Sequence, residues 1–391
     1  MKFFGCLLIF LLFNVPLPGD IIHVPAKQPT IQAGIDAALT GDTVLVAEGS
    51  YYENINFRGK AITVASRFLL DGDTAHIAGT IIDGSRPAHP DSASVVSFVS
   101  GEDTTSVLCG FTLTGGAGTI SKLQLANAWY DIRAGGGIFC SWAGPYISHN
   151  WIFDNHIRGV NEADGAGVYF DAQDSLIHIV LRNNRITQNT LTAKKNTWGA
   201  ALCLIGNASV SNNLVAYNAS HSEGLAGAVV ANWSPTYQFR IVLKNNRIRH
   251  NAVHARGVAS GGGVSISSNM TARVVGNDIS FNQVSSESNC MGGGIFVTYC
   301  IGNIKIVDNR ITYNWAQHKK NAHSRGGGID VTYNSNQSLT VISGNMIIGN
   351  RALIGSAFHN YISKVALRDN IIKDNIDLVW EGIEPKMQQH E

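Results

Sequence analysis

The sequence predicts an all-β protein, a single-stranded right-handed parallel β-helix with three short strands per turn. Three observations predict it. The phrase Asn-x-(Ile/Val)-x-x-Asn recurs eight times, from Asn150-Trp-Ile152-Phe-Asp-Asn155 to Asn370-Ile-Ile372-Lys-Asp-Asn375. Its first asparagines lie 34, 29, 33, 31, 32, 36 and 25 residues apart, a period that marks a solenoid. A small-residue cluster keeps step with the phrase and leads into period-two alternation, as in Gly292-Gly-Gly-Ile295-Phe-Val297. No repeat has room for a ten-residue helix, which excludes leucine-rich, TPR and HEAT repeats.

Taken from the N-terminus, Lys2 precedes a short apolar run that ends at Pro16-Leu-Pro-Gly19. This reads as a secretory signal peptide over residues 1–19, too short to span a membrane. Cys6 lies inside the run with no lipoprotein-type context. The expectation is export, to the extracellular space or a periplasm. Residues 20–391 read as one β-helix domain, because a solenoid escapes the size limit of a single core. A short amphipathic helix is expected at about 29–40, with Pro29 in its first turn and Gly41 past its end, plugging the barrel.

Early strands follow at 61–64, 80–83 and 95–98. The segment 107–113 then spells the bend phrase with Gly110 at the left-handed position. Regular turns occupy about 135–376. Each holds a Gly-led strand, a strand before the first Asn, and a strand between the two Asn residues. Ile138, Val168, Leu202, Val229, Val264, Ile295, Ile329 and Phe358 are expected inside. The first Asn is expected to take the left-handed bend and to bond its neighbours along the axis, and the second to end the third strand. Residues 377–391, with Leu378-Val-Trp380, would cap the far end.

Thr30-Ile-Gln-Ala-Gly-Ile-Asp-Ala-Ala, Gly41-Asp-Thr-Val-Leu-Val-Ala and Gly49-Ser-Tyr-Tyr-Glu-Asn-Ile resemble the opening of the pectate-lyase-like (pectin lyase fold) superfamily. The Gly-Gly-Gly-Ile and Asn-x-Ile-x-x-Asn repeats resemble its secreted right-handed β-helix members. The resemblance spans the mature chain and is specific for fold rather than activity. It implies a substrate groove along the Gly-led strands. No Trp-Ile-Asp-His, Gly-x-x-Asp-Phe-Ile-Phe-Gly, Asn-Thr-Asp or Asp-Pro-His-Glu is present, so no family catalytic residue carries over.

Net charge is +1, which gives no global pull toward nucleic acid. Five cysteines follow the leader, an odd number, none with metal-ligand spacing; Cys290 and Cys300 are near enough in sequence to bridge. Cys140 is expected inside and Cys203 outside. Nothing in the sequence demands a cofactor. Calcium is suggested only by Asp71-Gly-Asp73, and two carboxylates in one turn are far more often ordinary loop residues. A monomer is expected.

On the outward side of the Gly-led strands fall Phe139, Tyr169, Cys203, Val230, Ser265, Phe296, Asp330 and His359. Near the strand ends come Trp142, Trp233, Tyr299 and Tyr333, beside basic segments holding Lys194, Lys195, Arg256 and Lys320. Rings stack on sugar faces and cations pair with carboxylates or sulfates. Trp142, Tyr169, Trp233, Arg256, Phe296, Tyr299, Lys320 and Tyr333 are therefore candidates for binding an acidic polysaccharide or cell-surface glycan. For β-elimination, which needs a base and a charge-neutralising cation, the candidates are His323, Arg325, Asp330 and His359. The alternative is a non-catalytic surface or matrix β-helix. The column Tyr217, His250, Phe281, Tyr313 is expected to be packing between turns.

Overall fold

The computed structural model describes residues 19–378, apart from 126–127, 160, 173, 234–237, 269 and 319–322. The expected leader, Lys320 and the C-terminal cap beyond 378 lie outside the described residues.

The chain coils into the expected all-β parallel solenoid. In the turn opening at Gly292, the three expected strands are Ile295–Thr298, Ile304–Val307 and Arg310–Thr312. Two more follow where a long loop was expected, at Trp315–His318 and Ser324–Arg325. These five positions define the first to fifth sheets, which hold ten, twelve, eleven, eight and nine strands among the described residues. Pairing is parallel throughout, except where Gly118–Leu125 meets Ser92–Ala93 and Ala128–Ala134 as an antiparallel insertion in the fifth sheet.

Alternation sends one side of each strand inward. Ile295, Val297, Ile304, Ile306 and Ile311 are fully buried, as are their counterparts on neighbouring turns. Each such side chain contributes roughly 1.5–3 kcal/mol by leaving water. One expected register is off by a residue. Val229 and Val230 are both buried in the core, but it is Val230 that pairs with Leu202 and Val264, and Ala231 takes the outward place. Val229 stands where other turns have a third small residue, so aligning on Gly227 rather than on the first valine gives the true register.

The asparagines do more than expected, and by a different backbone. The left-handed residue is the one before each Asn: His149, Asn183, Asn212 and Asn245 at the first corner, Tyr217, His250, Phe281 and Tyr313 at the second. Gly110 sits in the same place, and Phe111 substitutes for the Asn that follows it. Each Asn is thereby turned into the barrel, and both columns form ladders. Asn246 Oδ1 accepts from the Asn213 backbone N–H and from Asn213 Nδ2, both at 3.0 Å. Asn246 Nδ2 passes the pattern on to Asn277 Oδ1 at 3.0 Å. Asn251 does the same between Asn218 and Asn282. The corner rings that precede the second column stack face to face, with centroids 5.0–5.2 Å apart.

At the N-terminal end a helix, Ile31–Ala37, covers the barrel, burying Ile31 and Ile35. It begins two residues later than expected and ends three earlier, with Thr30 as N-cap and Pro29 outside. The Glu53 carboxylate accepts from the Ile31 and Gln32 amides, both at 2.9 Å, and Lys60 Nζ donates to the carbonyls of Ile35, Asp36 and Ala38. Negative charge thus meets the helix start and positive charge its end.

All five described cysteines are free and buried. Cys290 and Cys300 do not bridge: Cys290 Sγ contacts the Gln317 carbonyl at 2.9 Å, and Cys300 packs in the barrel. Cys140 lies inside and Cys203 on the outer side, as expected. Among the described residues no helix is long and apolar enough to cross a membrane.

Candidate functional site

The fifth sheet is what makes a site. It folds beside the outer face of the first sheet, and the two meet along part of the solenoid. At the N-terminal side they are joined by a small second core of Ile132, Ala134, Phe139, Tyr169, Cys203 and Ile205. Tyr169 is 1% exposed, so it cannot stack on a ligand as the sequence suggested, and Phe139 is likewise covered. Strand alternation marks a residue as outward. It does not reveal that a second sheet lies on top.

Beyond this core the two sheets part into a groove of about 860 Å³, near the upper end of the range for ligand pockets. Its floor is hydroxyl-bearing: Ser265, Ser267, Thr298 and Thr332, with Phe296 between them. Trp198 and Trp233 stand at the closed end, packed against the second core. Tyr299 and Tyr333 form one rim, stacked with centroids 5.5 Å apart. Both hold left-handed backbone, which tips their rings outward from the strand end. From Trp233 to Tyr333 the groove crosses three turns of the first sheet, roughly 14 Å at the spacing of adjacent strands.

At the other end an ion pair ties the fifth sheet to the first. Arg325 Nε donates to Asp330 Oδ2 at 3.0 Å, and His359 Nδ1 lies 3.1 Å from Asp330 Oδ1. Asp330 is fully buried with both oxygens engaged, so it cannot touch a substrate. It holds Arg325, which lines the groove. The groove lining includes neither His359 nor His323. His323 is exposed beside the fifth sheet and its carbonyl accepts from the Cys290 amide.

Of the expected binding residues, Trp233, Phe296, Tyr299 and Tyr333 therefore share one groove with Arg325. Trp142 is exposed on an earlier turn outside it, and Arg256 is exposed away from the lining. Sequence reasoning missed Tyr130, Asp131, Glu162, Trp198 and Met291, which also line it, beside Lys195. A signal for two of these, Trp198 and Met291, existed. The residue just before each Gly cluster forms one column of the fifth sheet, containing Asp164, Trp198, Met291 and Arg325.

The missed acids are electrostatically unusual. Burial raises the Glu162 pKa, partly offset by hydrogen bonds from Asn196 and from Trp198, whose Nε1 donates at 3.0 Å. Asp164 is fully buried, and burial first, then the Glu162 charge, pushes its carboxyl well above the ordinary range. Neither Asp164 oxygen has a hydrogen bond of normal geometry, the Trp198 backbone amide giving only a weak contact. The groove so runs from an acidic end, Asp131 and Glu162, to a cationic one at Arg325.

Among the described residues no group of three His, Cys, Asp or Glu side chains is placed to hold a metal. Asp71 and Asp73 use their carboxylates locally: Asp71 Oδ1 accepts from the Asp73 amide, Asp71 Oδ2 faces His76, and Asp73 Oδ1 accepts from Ala75. No family model matches the sequence, and comparisons with curated proteins and with solved structures return no similar protein.

Proposed function

We propose that this chain is an exported β-helix of the pectate-lyase-like kind that binds an extended acidic polysaccharide in the groove between its first and fifth sheets. One observation carries the reading: an open trough with a hydroxyl floor, six aromatic side chains in its lining, and a guanidinium fixed at one end. Sugar rings stack on aromatic faces while their hydroxyls exchange hydrogen bonds with Ser and Thr. Arg325, whose Nε is held by Asp330 and whose Nη2 touches Met291 Sδ, has N–H groups left over for a carboxylate or sulfate, whose geometry suits a guanidinium.

Binding is better supported than cleavage. Elimination needs a base and a cation at the same sugar. Of the four expected catalytic residues, only Arg325 lines the groove. A second reading keeps a lyase, with Tyr299 or Tyr333 as the base beside Arg325, because all three line the same walls.

The test uses purified protein and a panel of uronic-acid polymers, with calorimetry for binding and ultraviolet absorbance for unsaturated products. The binding reading expects saturable binding without product, weakened at least tenfold by Trp233→Ala and by Arg325→Ala, a loss of about 1.4 kcal/mol or more. Product formation abolished by Tyr333→Phe would move the protein to the lyase reading. Absence of binding to every glycan would leave a structural spacer.

A further inference from the structure

The near-zero net charge hides a strongly basic face on the side of the solenoid formed by the second and third sheets. Over five turns, second-sheet strands run from His178–Arg182 to Ile304–Val307 and third-sheet strands from Arg185–Thr187 to Arg310–Thr312. These strands and the corner between them carry nine Lys and Arg and only two acids, Asp278 and Asp308. Lys244, Arg273 and Lys305 project from the second sheet, and Arg185, Arg247 and Arg310 from the third; all six are exposed.

Three further observations separate this face from ordinary solvated charge. Among the described residues none of the six makes an ion pair within 4 Å, although Asp278 stands in register between Arg247 and Arg310. Arg273 and Lys305 lie directly opposite each other on adjacent strands, an arrangement of like charges that destabilises a sheet. The cations occupy four of the five levels, all but the one at Asn207–Ser211 and Leu214–Ala216, with neighbouring levels about 4.8 Å apart over a strip roughly 19 Å long. A small anion would need a concavity, and this ridge is convex.

We propose that the ridge between the second and third sheets is a second binding surface, for a linear anionic polysaccharide lying parallel to the solenoid axis. A chain with charges repeated along its length meets several cations at once, and guanidinium groups match carboxylate and sulfate geometry. A single-stranded nucleic acid fits less well, since the exposed rings that edge this face, Tyr217, His250, Phe281 and Tyr313, already stack face to face on one another and leave no gap for a base between them. The inference is independent of the groove reading, because it uses a different face and shares none of its residues.

The experiment measures binding of the whole protein to heparin, used as a sulfated polysaccharide probe, across a salt series. Binding is compared between Trp233→Ala, in which the groove is weakened, and a triple variant that adds Arg247→Ser, Arg273→Ser and Lys305→Ser to that background, and circular dichroism checks that both are folded. The added substitutions are expected to lower affinity at least about tenfold at low salt and to make the dependence on salt shallower, since fewer counterions are released. Heparin binding that is unchanged by the added substitutions would overturn the proposal. Tighter binding to duplex DNA or to phosphatidylserine vesicles than to heparin would overturn the assignment to a polysaccharide. If the triple variant unfolds, the single substitution Arg247→Ser decides by the same comparison, with a smaller loss expected.

Discussion

Replacing Asn246 by Ala tests whether the ladders or the aliphatic stacks carry the solenoid. The side chain of Asn246 is fully buried and takes part in four hydrogen bonds. Two are accepted from Asn213, and two are donated, to the Val210 carbonyl at 2.9 Å and to Asn277 Oδ1 at 3.0 Å. At about 1 kcal/mol net for each bond, the loss is about 4 kcal/mol, and the stranded Asn213 backbone N–H pushes it upward. That is a large part of the stability of an ordinary domain. Asn375 on the last turn supplies the control. It also makes four side-chain bonds, two accepted from Asn350 and two donated to Ile347 and Lys373, but is only half-buried. Water can replace its partners, so Asn375→Ala is expected to cost about 1 kcal/mol. Urea unfolding gives the totals. Hydrogen exchange at the Asn213 amide locates the damage, which matters because a solenoid need not unfold in one step. Equal costs for the two variants, or a cost below about 1 kcal/mol for Asn246→Ala, would refute the claim that buried ladder bonds are decisive.

Three other outcomes are expected. Gly292 holds φ +64°, and a Cβ there would meet the Ile295 carbonyl at 2.5 Å, so Gly292→Ala should cost about 2 kcal/mol or more. At Gly41 a Cβ meets nothing within 4 Å, and Gly41→Ala should cost about 1–2 kcal/mol, both read from urea midpoints. Asp164, whose pKa is raised above its ordinary 3.8, favours folding most when protonated; stability should fall as pH rises above that value toward its folded pKa. Asp164→Asn should flatten that decline in melting temperature above pH 3.8, and an unchanged profile would show that the carboxyl is not buried as described. Glu162, raised from 4.5 and facing the groove with Asp131 and Lys195, should weaken binding of an acidic glycan once ionised. Affinity should therefore rise as pH falls through its pKa, and Glu162→Gln should bind more tightly than the parent at neutral pH by calorimetry.

The first two strands named from sequence announce themselves by alternation of apolar residues, and the three-residue third by the asparagines that bracket it. The fourth and fifth have no such marker: the fourth is four residues long but poor in aliphatic residues, as in Ala219–Ser222 and Trp315–His318, and the fifth is shorter still. Ala259–Ser260 and Ser324–Arg325 are two residues each, with little β-propensity, and they are strands only because a counterpart lies above and below. The site inherited that blindness: Trp233, Phe296, Tyr299, Tyr333 and Arg325 were legible on or near the Gly-led strands, whereas Glu162 and Trp198 belong to the unseen sheet. Tyr169 failed for the same reason, since a residue outward from one sheet is interior once another covers it. At the first corner the left-handed residue lies one position before the expected Asn: Asn183, Asn212, Asn245, Gly276 and Asp308 all suit that backbone, but only the Asn that follows them repeats without change and so draws the eye. At the second corner Tyr217, His250 and Phe281 are poor formers of it, and ring stacking between turns, with the ladders beside it, outweighs their local preference.

The ladder has a consequence for how such a chain can change in length. Every joint between turns is the same, whether 25 residues separate the asparagines, as from Asn345 to Asn370, or 36, as from Asn309 to Asn345. Circumference is thus uncoupled from stacking. A whole lap of the coil, such as the 31 residues from Asn246 to Asn277, is an interchangeable unit: its removal would bring Asn213 against Asn277 with the same donors facing the same acceptors. Insertions that widen the fourth and fifth sheets leave that hinge line untouched, so the wall that forms the groove is free to diversify while the spine stays uniform.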